Sequence, residues 1–229
     1  MKTLLLILLA LLPVAFFVYL IIRADKYEKE AYLPLVISFA LGMAIIAPAI
    51  WIQNGIDDAR WFDYRSPDQL LAFAFIGIAL IEEVCKAFLF FIYPYRQQFF
   101  NEPFDGVVYA VMISMGFAAV ENIIYVLEFG METGIARALT AVPAHATFGV
   151  ISGYYFGRSK FEPSRKWPLI ALGMVLVLLF HTLYNFLILQ EISQYLMIGA
   201  SISIYILAIL GFFMVRNLLD HSPFKPDKS

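Results

Sequence analysis

Residues 69–93 read QLLAFAFIGIALIEEVCKAFLFFIY. Twenty-five residues of helix span roughly 37 Å at about 1.5 Å per residue, enough to cross the ~30 Å hydrocarbon core of a bilayer. Almost every side chain here is apolar; the charged exceptions are Glu82, Glu83 and Lys86. Each costs a few kcal/mol or more at the bilayer centre, so it must face protein or a water pocket. The stretch therefore predicts a membrane-crossing helix and, with it, a polar interior shared with other helices.

Working outward, six further stretches satisfy the same length rule: 3–22, 31–52, 104–127, 135–157, 168–189 and 194–215. The chain is 62% hydrophobic and only 15% charged, where a soluble domain is about a quarter charged. The expected fold is all-α, a polytopic transmembrane bundle of about seven helices. The ten-residue alternation of a membrane barrel is absent. Residues 1–229 are expected to form one domain, with its polar motifs within 69–189 and a polar tail at 216–229, disordered at its end. The run 3–22 exceeds a signal-peptide core and lacks a following A-x-A site, so it reads as a retained helix. A net charge of −2 gives no footprint for nucleic acid. The one cysteine, Cys85, excludes an intrachain disulfide and reads as a packing residue.

Lys and Arg divide unevenly between the two sets of loops. Eleven fall on the side of Arg23, Arg96, Arg158 and Arg216; four, including Arg60 and Arg137, fall on the other. The positive-inside rule then places the N-terminus outside and the C-terminus in the cytoplasm.

Ionisable residues concentrate in the third to sixth stretches: Glu82, Glu83 and Lys86, then Asp105 and Glu121 with Asn122, then Arg137 and His145, then His181 with Asn185. Counted from the cytoplasmic ends, Glu82, His145 and His181 lie at about 16, 18 and 20 Å, and Glu121 and Asn185 at about 25 Å. Three helices thus deliver Glu83, His145 and His181 to one layer, with Glu121 and Asn185 further out. Lys86 shares a face with Glu82 and with Glu83, so pairing is expected. Asp105 follows Pro103 at a helix start and reads equally well as a cap. Arg137 reads as an interfacial anchor.

The absence of H-E-x-x-H removes the usual zinc-protease helix. Asp105 is the one Asp within these spans, so an aspartyl pair is not available. Ser152 lies about 10 Å along the helix from His145, too far for a direct nucleophile–base pair. Carboxylate and imidazole remain. Either Glu82 or Glu83 deprotonates a water while a His steadies the oxyanion, or Glu83, His145 and His181 hold a zinc ion that activates it. The residues alone leave both routes open, and no other cofactor is implied.

Five segments in order carry a resemblance: Glu82-Glu83-Val84-Cys85-Lys86; Phe104-Asp105-Gly106-Val107-Val108-Tyr109; Gly116 to Tyr125 with Glu121-Asn122; Arg137-Ala138-Leu139 with Pro143-Ala144-His145-Ala146; and His181-Thr182-Leu183-Tyr184-Asn185-Phe186. Together they resemble the PrsW family of bacterial membrane proteases, related to the CAAX prenyl endopeptidase superfamily. The resemblance implies that Glu82 and Glu83 activate water, that His181 and Asn185 stabilise the oxyanion, and that Glu121 and His145 belong to the site. Some members carry Asp where this chain has Asn185; an amide keeps a donor role but not a base role. The resemblance further implies a bacterial cell-membrane location and a single-pass anti-sigma factor as substrate, cut near the outer face in the first, site-1 step of a stress response.

Two other readings fit the buried charges. A proton- or ion-coupled transporter uses such groups as a relay, although no internal repeat accompanies the break at Pro143. A scaffold that has lost catalysis is the other, opposed by intact Glu82, Glu83 and His181.

Overall fold

The computed structural model describes residues 2–226, which contain helices and no strand. The end of the polar tail lies outside the described residues. Helix α1 is Lys2–Ala24 and α2 is Tyr32–Asp58. Helix α3 has three continuous parts: Pro67–Ala72, a π-helical stretch Phe73–Ala79, and Leu80–Ile92. Then come α4 (Pro103–Phe129), the short α5 (Met131–Leu139), α6 (Ala141–Phe161), α7 (Lys166–Leu189) and α8 (Gln194–Asp220). Seven are long, as expected.

Helix α4 is the axis of the bundle. Every residue from Phe104 to Ala119 is buried, which an amphipathic surface helix never achieves. Helices α1, α2 and α6 pack on it, and α7 and α8 pack on α6. The lipid-facing layer is correspondingly apolar: Leu4, Leu8 and Leu12 of α1, and Ile202, Ile209 and Phe213 of α8, are all more than half exposed. An exposed apolar surface of this extent needs hydrocarbon around it. Among the described residues, five helices are long and apolar enough to cross a membrane: α1, α2, α4, α7 with the turn before it, and α8. The remaining long pair, α3 and α6, carry Glu82, Glu83, Lys86 and His145. Helix α6 is buried along most of its length, so its surroundings are other helices and it has little need of lipid-soluble side chains.

The contact between α4 and α6 is built from glycine. A Cβ on Gly106 would collide with the backbone at Gly153 and Gly157, and one on Gly157 with the carbonyl of Pro103. Small residues let helix backbones touch in a membrane, where dispersion and close fit replace the hydrophobic effect.

Three of the expected spans differ from the structure by more than two residues; the last, α8, runs on to Asp220, five residues into the expected polar tail. Helix α2 runs on to Asp58, six residues beyond 52, which takes Gln53 into the bundle. The expected fifth span, 135–157, divides at Thr140 into α5 and α6, and α6 continues to Phe161. Pro143 explains the division. It lacks the N–H that would bond the carbonyl of Leu139, so it suits only the first turn of a new helix. Ala144 N then bonds Thr140 O at 3.0 Å as that helix begins.

Candidate active site

The π-helical stretch of α3 ends one residue before Leu80, just ahead of Glu82 and Glu83. Such wide turns shift the facing of everything downstream and recur at functional sites. Here the result is that Glu82, Glu83 and Lys86 are all buried, at 3%, 4% and 6% exposure. Lys86 Nζ donates to Glu83 Oε1 at 2.8 Å and lies 3.5 Å from Glu82 Oε2. The expected pairing therefore forms with both acids, more tightly with Glu83.

Helix α7 brings His181 to the same oxygen. Its Nδ1 lies 2.8 Å from Glu83 Oε1, and its Nε2 lies 3.9 Å from Glu82 Oε2. Phe148 of α6 stacks on the His181 ring, with centroids 4.8 Å apart and planes at 27°. A carboxylate oxygen only accepts, so Nδ1 carries the hydrogen of that bond. One apolar wall and one acid thus fix both the tilt and the tautomer of His181.

Helix α6 adds His145. Lys86 Nζ is 3.2 Å from its Nδ1, and Glu121 Oε2 is 2.9 Å from its Nε2. An ammonium only donates and a carboxylate only accepts. His145 is accordingly neutral, accepting at Nδ1 and donating at Nε2. The same Glu121 oxygen takes a hydrogen bond from Arg137 Nη2 at 2.6 Å. Arg137 Nε donates to Asn122 Oδ1 at 2.9 Å, and Asn122 Nδ2 donates to the carbonyl of Ala10 in α1. A continuous polar chain results: Asn122, Arg137, Glu121, His145, Lys86, Glu83 and His181.

Glu83, His145 and His181 do meet in one layer, the two imidazole rings standing 5.8 Å apart. Glu121 is not further out but bonded to His145. The longer α6 accounts for this. Counted from Phe161, His145 lies about 24 Å along its helix, close to the roughly 27 Å of Glu121 from Pro103. Arg137 is part of the cluster and not an interfacial anchor. Gln53, one residue beyond the expected second span, donates to Glu82 Oε1 at 3.3 Å. Arg137 lay in a matching motif and was findable on that ground; Gln53 had no signal. Asp105 stands apart at the far end of α4, where its Oδ2 accepts the backbone N–H groups of Asn101 and Glu102 at 2.7 and 2.9 Å. Asn185, one turn beyond His181, has a buried amide nitrogen with no hydrogen-bond partner. Ser152 bonds the carbonyl of Phe148 in its own helix at 2.9 Å, so its hydroxyl is spoken for.

Two triads in this cluster offer converging ligand atoms for a metal: Glu82, Glu83 and His181, and Glu82, Glu121 and His145. The set Glu83, His145 and His181 is not one of them; Glu82 is the acid common to both. One imidazole with two carboxylates is a donor set that a divalent ion such as zinc accepts. Beside Glu83 and Lys86 lies a cavity of about 10 Å³, bordered by Ala110, Ser114 and Gly149. That is about the room one water centre occupies.

A family model described as PrsW family intramembrane metalloprotease matches residues 30–215. The chain belongs to this family. Its curated relatives include the protein named Protease PrsW of Geobacillus kaustophilus, 38% identical over 73% of this chain and 72% of that one. Protease PrsW of Shouchella clausii is 32% identical over 93% of this chain and 96% of the relative. Protease PrsW of Bacillus subtilis is 32% identical over 72% and 73% respectively. No solved structure matches. All five segments singled out in the sequence fall inside the matched range. The chain is thus a multi-pass membrane protein of an intramembrane protease family.

Proposed function

We propose that this chain cuts a peptide bond in a single-pass, membrane-anchored regulatory protein, an anti-sigma factor, using a water activated by the Glu82–Glu83 pair. The observation that carries the reading is the 2.8 Å contact between Glu83 Oε1 and His181 Nδ1, made across α3 and α7 and shared with Lys86. Two donors on one oxygen fix Glu83 as the acid that orients the cluster. Glu82, whose nearest partner is Gln53 at 3.3 Å, is the freer to take a proton from water. As the water oxygen bonds the scissile carbonyl carbon, charge develops on the carbonyl oxygen. Asn185 Nδ2, buried and unpartnered, is an unused donor one turn from His181 and suits that oxyanion. The proton held on Glu82 then passes to the leaving amine. Glu121, braced by Arg137, keeps His145 in its neutral tautomer and so holds Lys86 in place. Zinc held by Glu82, Glu83 and His181 would supply the same service to water by lowering its pKa.

The reading treats residues 1–229 as one unit with the N-terminus outside, which the excess of Lys and Arg on the α1–α2, α3–α4 and α6–α7 turns supports. The cluster then lies nearer the outer face, since His145 begins its helix there. The test is co-expression with a tagged single-pass substrate. Glu83→Gln and His181→Ala should accumulate in the membrane like the parent and release no fragment. Full cleavage by both would end the proposal. The transporter alternative has no comparable support, because every acid in the cluster is tied to a fixed partner.

A further inference from the structure

A second group of acids lies at the opposite end of α4, where the α1–α2 loop meets the α3–α4 turn. Asp25, Glu30, Glu102 and Asp105 are 3%, 8%, 1% and 0% exposed. Glu28 joins them: one oxygen each from Glu28, Glu30 and Asp105 lies within 4.8 Å of the others. Asp105 is 16 residues from Glu121, about 24 Å along the helix, so this group is separate from the hydrolytic centre.

The group differs from an ordinary acidic patch in being sealed and incomplete. Glu30 Oε1, Asp105 Oδ1, Glu28 Oε2 and Asp25 Oδ1 are buried with no hydrogen-bond partner among the described residues. Three of the sister oxygens are used: Asp105 Oδ2 by two backbone N–H groups, Glu30 Oε2 by the Tyr109 hydroxyl, Asp25 Oδ2 by Glu30 N. Glu30 and Asp105 are thereby each held at one oxygen, and each converges with Glu28 through one oxygen. No Lys or Arg among the described residues makes an ion pair with any of the five. The nearby Lys160 ammonium is occupied by the carbonyls of Gln97 and Phe100, both at 2.9 Å. Buried charges require a counter-charge. One shared proton relieves one pair and leaves the rest.

We propose that Glu28, Glu30 and Asp105 form a binding site for a hard divalent cation, Mg²⁺ or Ca²⁺, that ties the α1–α2 loop to the start of α4. The donors are all oxygen, the kind both ions prefer, and they come from two chain segments that the Tyr109–Glu30 hydrogen bond already brings together. Asp25 and Glu102 flank the three and add negative field. Affinity rather than proximity to the cleavage chemistry is the readout, so the inference stands or falls independently of the proposed function.

The test uses the full chain in detergent, stripped with chelator. Terbium(III), which replaces Ca²⁺, should show tyrosine-sensitised emission, because the Tyr109 phenol touches Glu30. Competition by Ca²⁺ and by Mg²⁺ identifies which ion the site prefers. Glu30→Gln and Glu102→Gln keep the packing and should weaken terbium binding by at least about tenfold, as loss of a charged ligand or its close neighbour does. Glu83→Gln should bind as the parent does. The proposal is overturned if terbium does not bind, if Glu30→Gln binds unchanged, or if Glu83→Gln is the variant that loses emission.

Discussion

Two groups of buried acids share helix α4 and have opposite electrostatic designs. Around Glu121 every carboxylate has its cation or imidazole within hydrogen-bond reach or close to it: Glu83 with Lys86 and His181, Glu121 with Arg137 and His145. Around Asp105 the carboxylates have hydroxyl and backbone donors but no cation. The first group is complete in the folded chain, and the second depends on something from solution. Burial of charge is therefore not one phenomenon. A balanced cluster resists the removal of any member, whereas an unbalanced one is relieved by it.

The sharpest way to break this contrast is through Lys86. Lys86→Ala leaves Glu82 and Glu83 buried without their counter-charge, a change that costs about 3–5 kcal/mol. Thermal melting should fall accordingly and cleavage should vanish. A variant as stable as the parent would show that the cluster is not balanced by Lys86. Next in size is Asn185→Ala. Loss of one oxyanion donor lowers turnover by about 10²–10³-fold, and its effect on melting should be small because the amide nitrogen bonds nothing at rest. Equal loss of stability and activity would assign Asn185 to packing. The sign reverses at the other end. Glu30→Gln in chelator should raise stability by about 1 kcal/mol, or roughly 2–4 °C for a chain of this size. Added Ca²⁺ or Mg²⁺ should then stabilise the parent above the variant. Smallest of all, Ser152→Ala should leave cleavage unchanged, since its hydroxyl serves only its own helix; a large loss would reopen a serine mechanism.

The seven long helices were legible because length and apolarity are what a bilayer demands, and that demand is written residue by residue. The layer of Glu83, His145 and His181 was legible because intramembrane charges have few places to go. What escaped depended on boundaries and reach. Four extra residues at the end of α6 moved His145 alongside Glu121. Six extra residues of α2 brought Gln53 to Glu82. Arg137 looked like an anchor because a cation at a helix end normally faces lipid headgroups, and only the fold shows Glu121 waiting for it. The acids of the α1–α2 loop lie outside every expected span and every matching segment. Nothing in their spacing told of burial, which is imposed by α4 lying across them.

The glycine seam between α4 and α6 bears on how a substrate strand is admitted. Backbones in direct touch leave no side chain to swing aside, so these two helices move as one spar carrying Glu121 and His145 together. The other wall, where the widened turn of α3 leans on α7, has no such backbone-to-backbone seam and is the wall a peptide would have to part. Glu83 and His181 ride on those two helices, so any separation of α3 from α7 would part their contact.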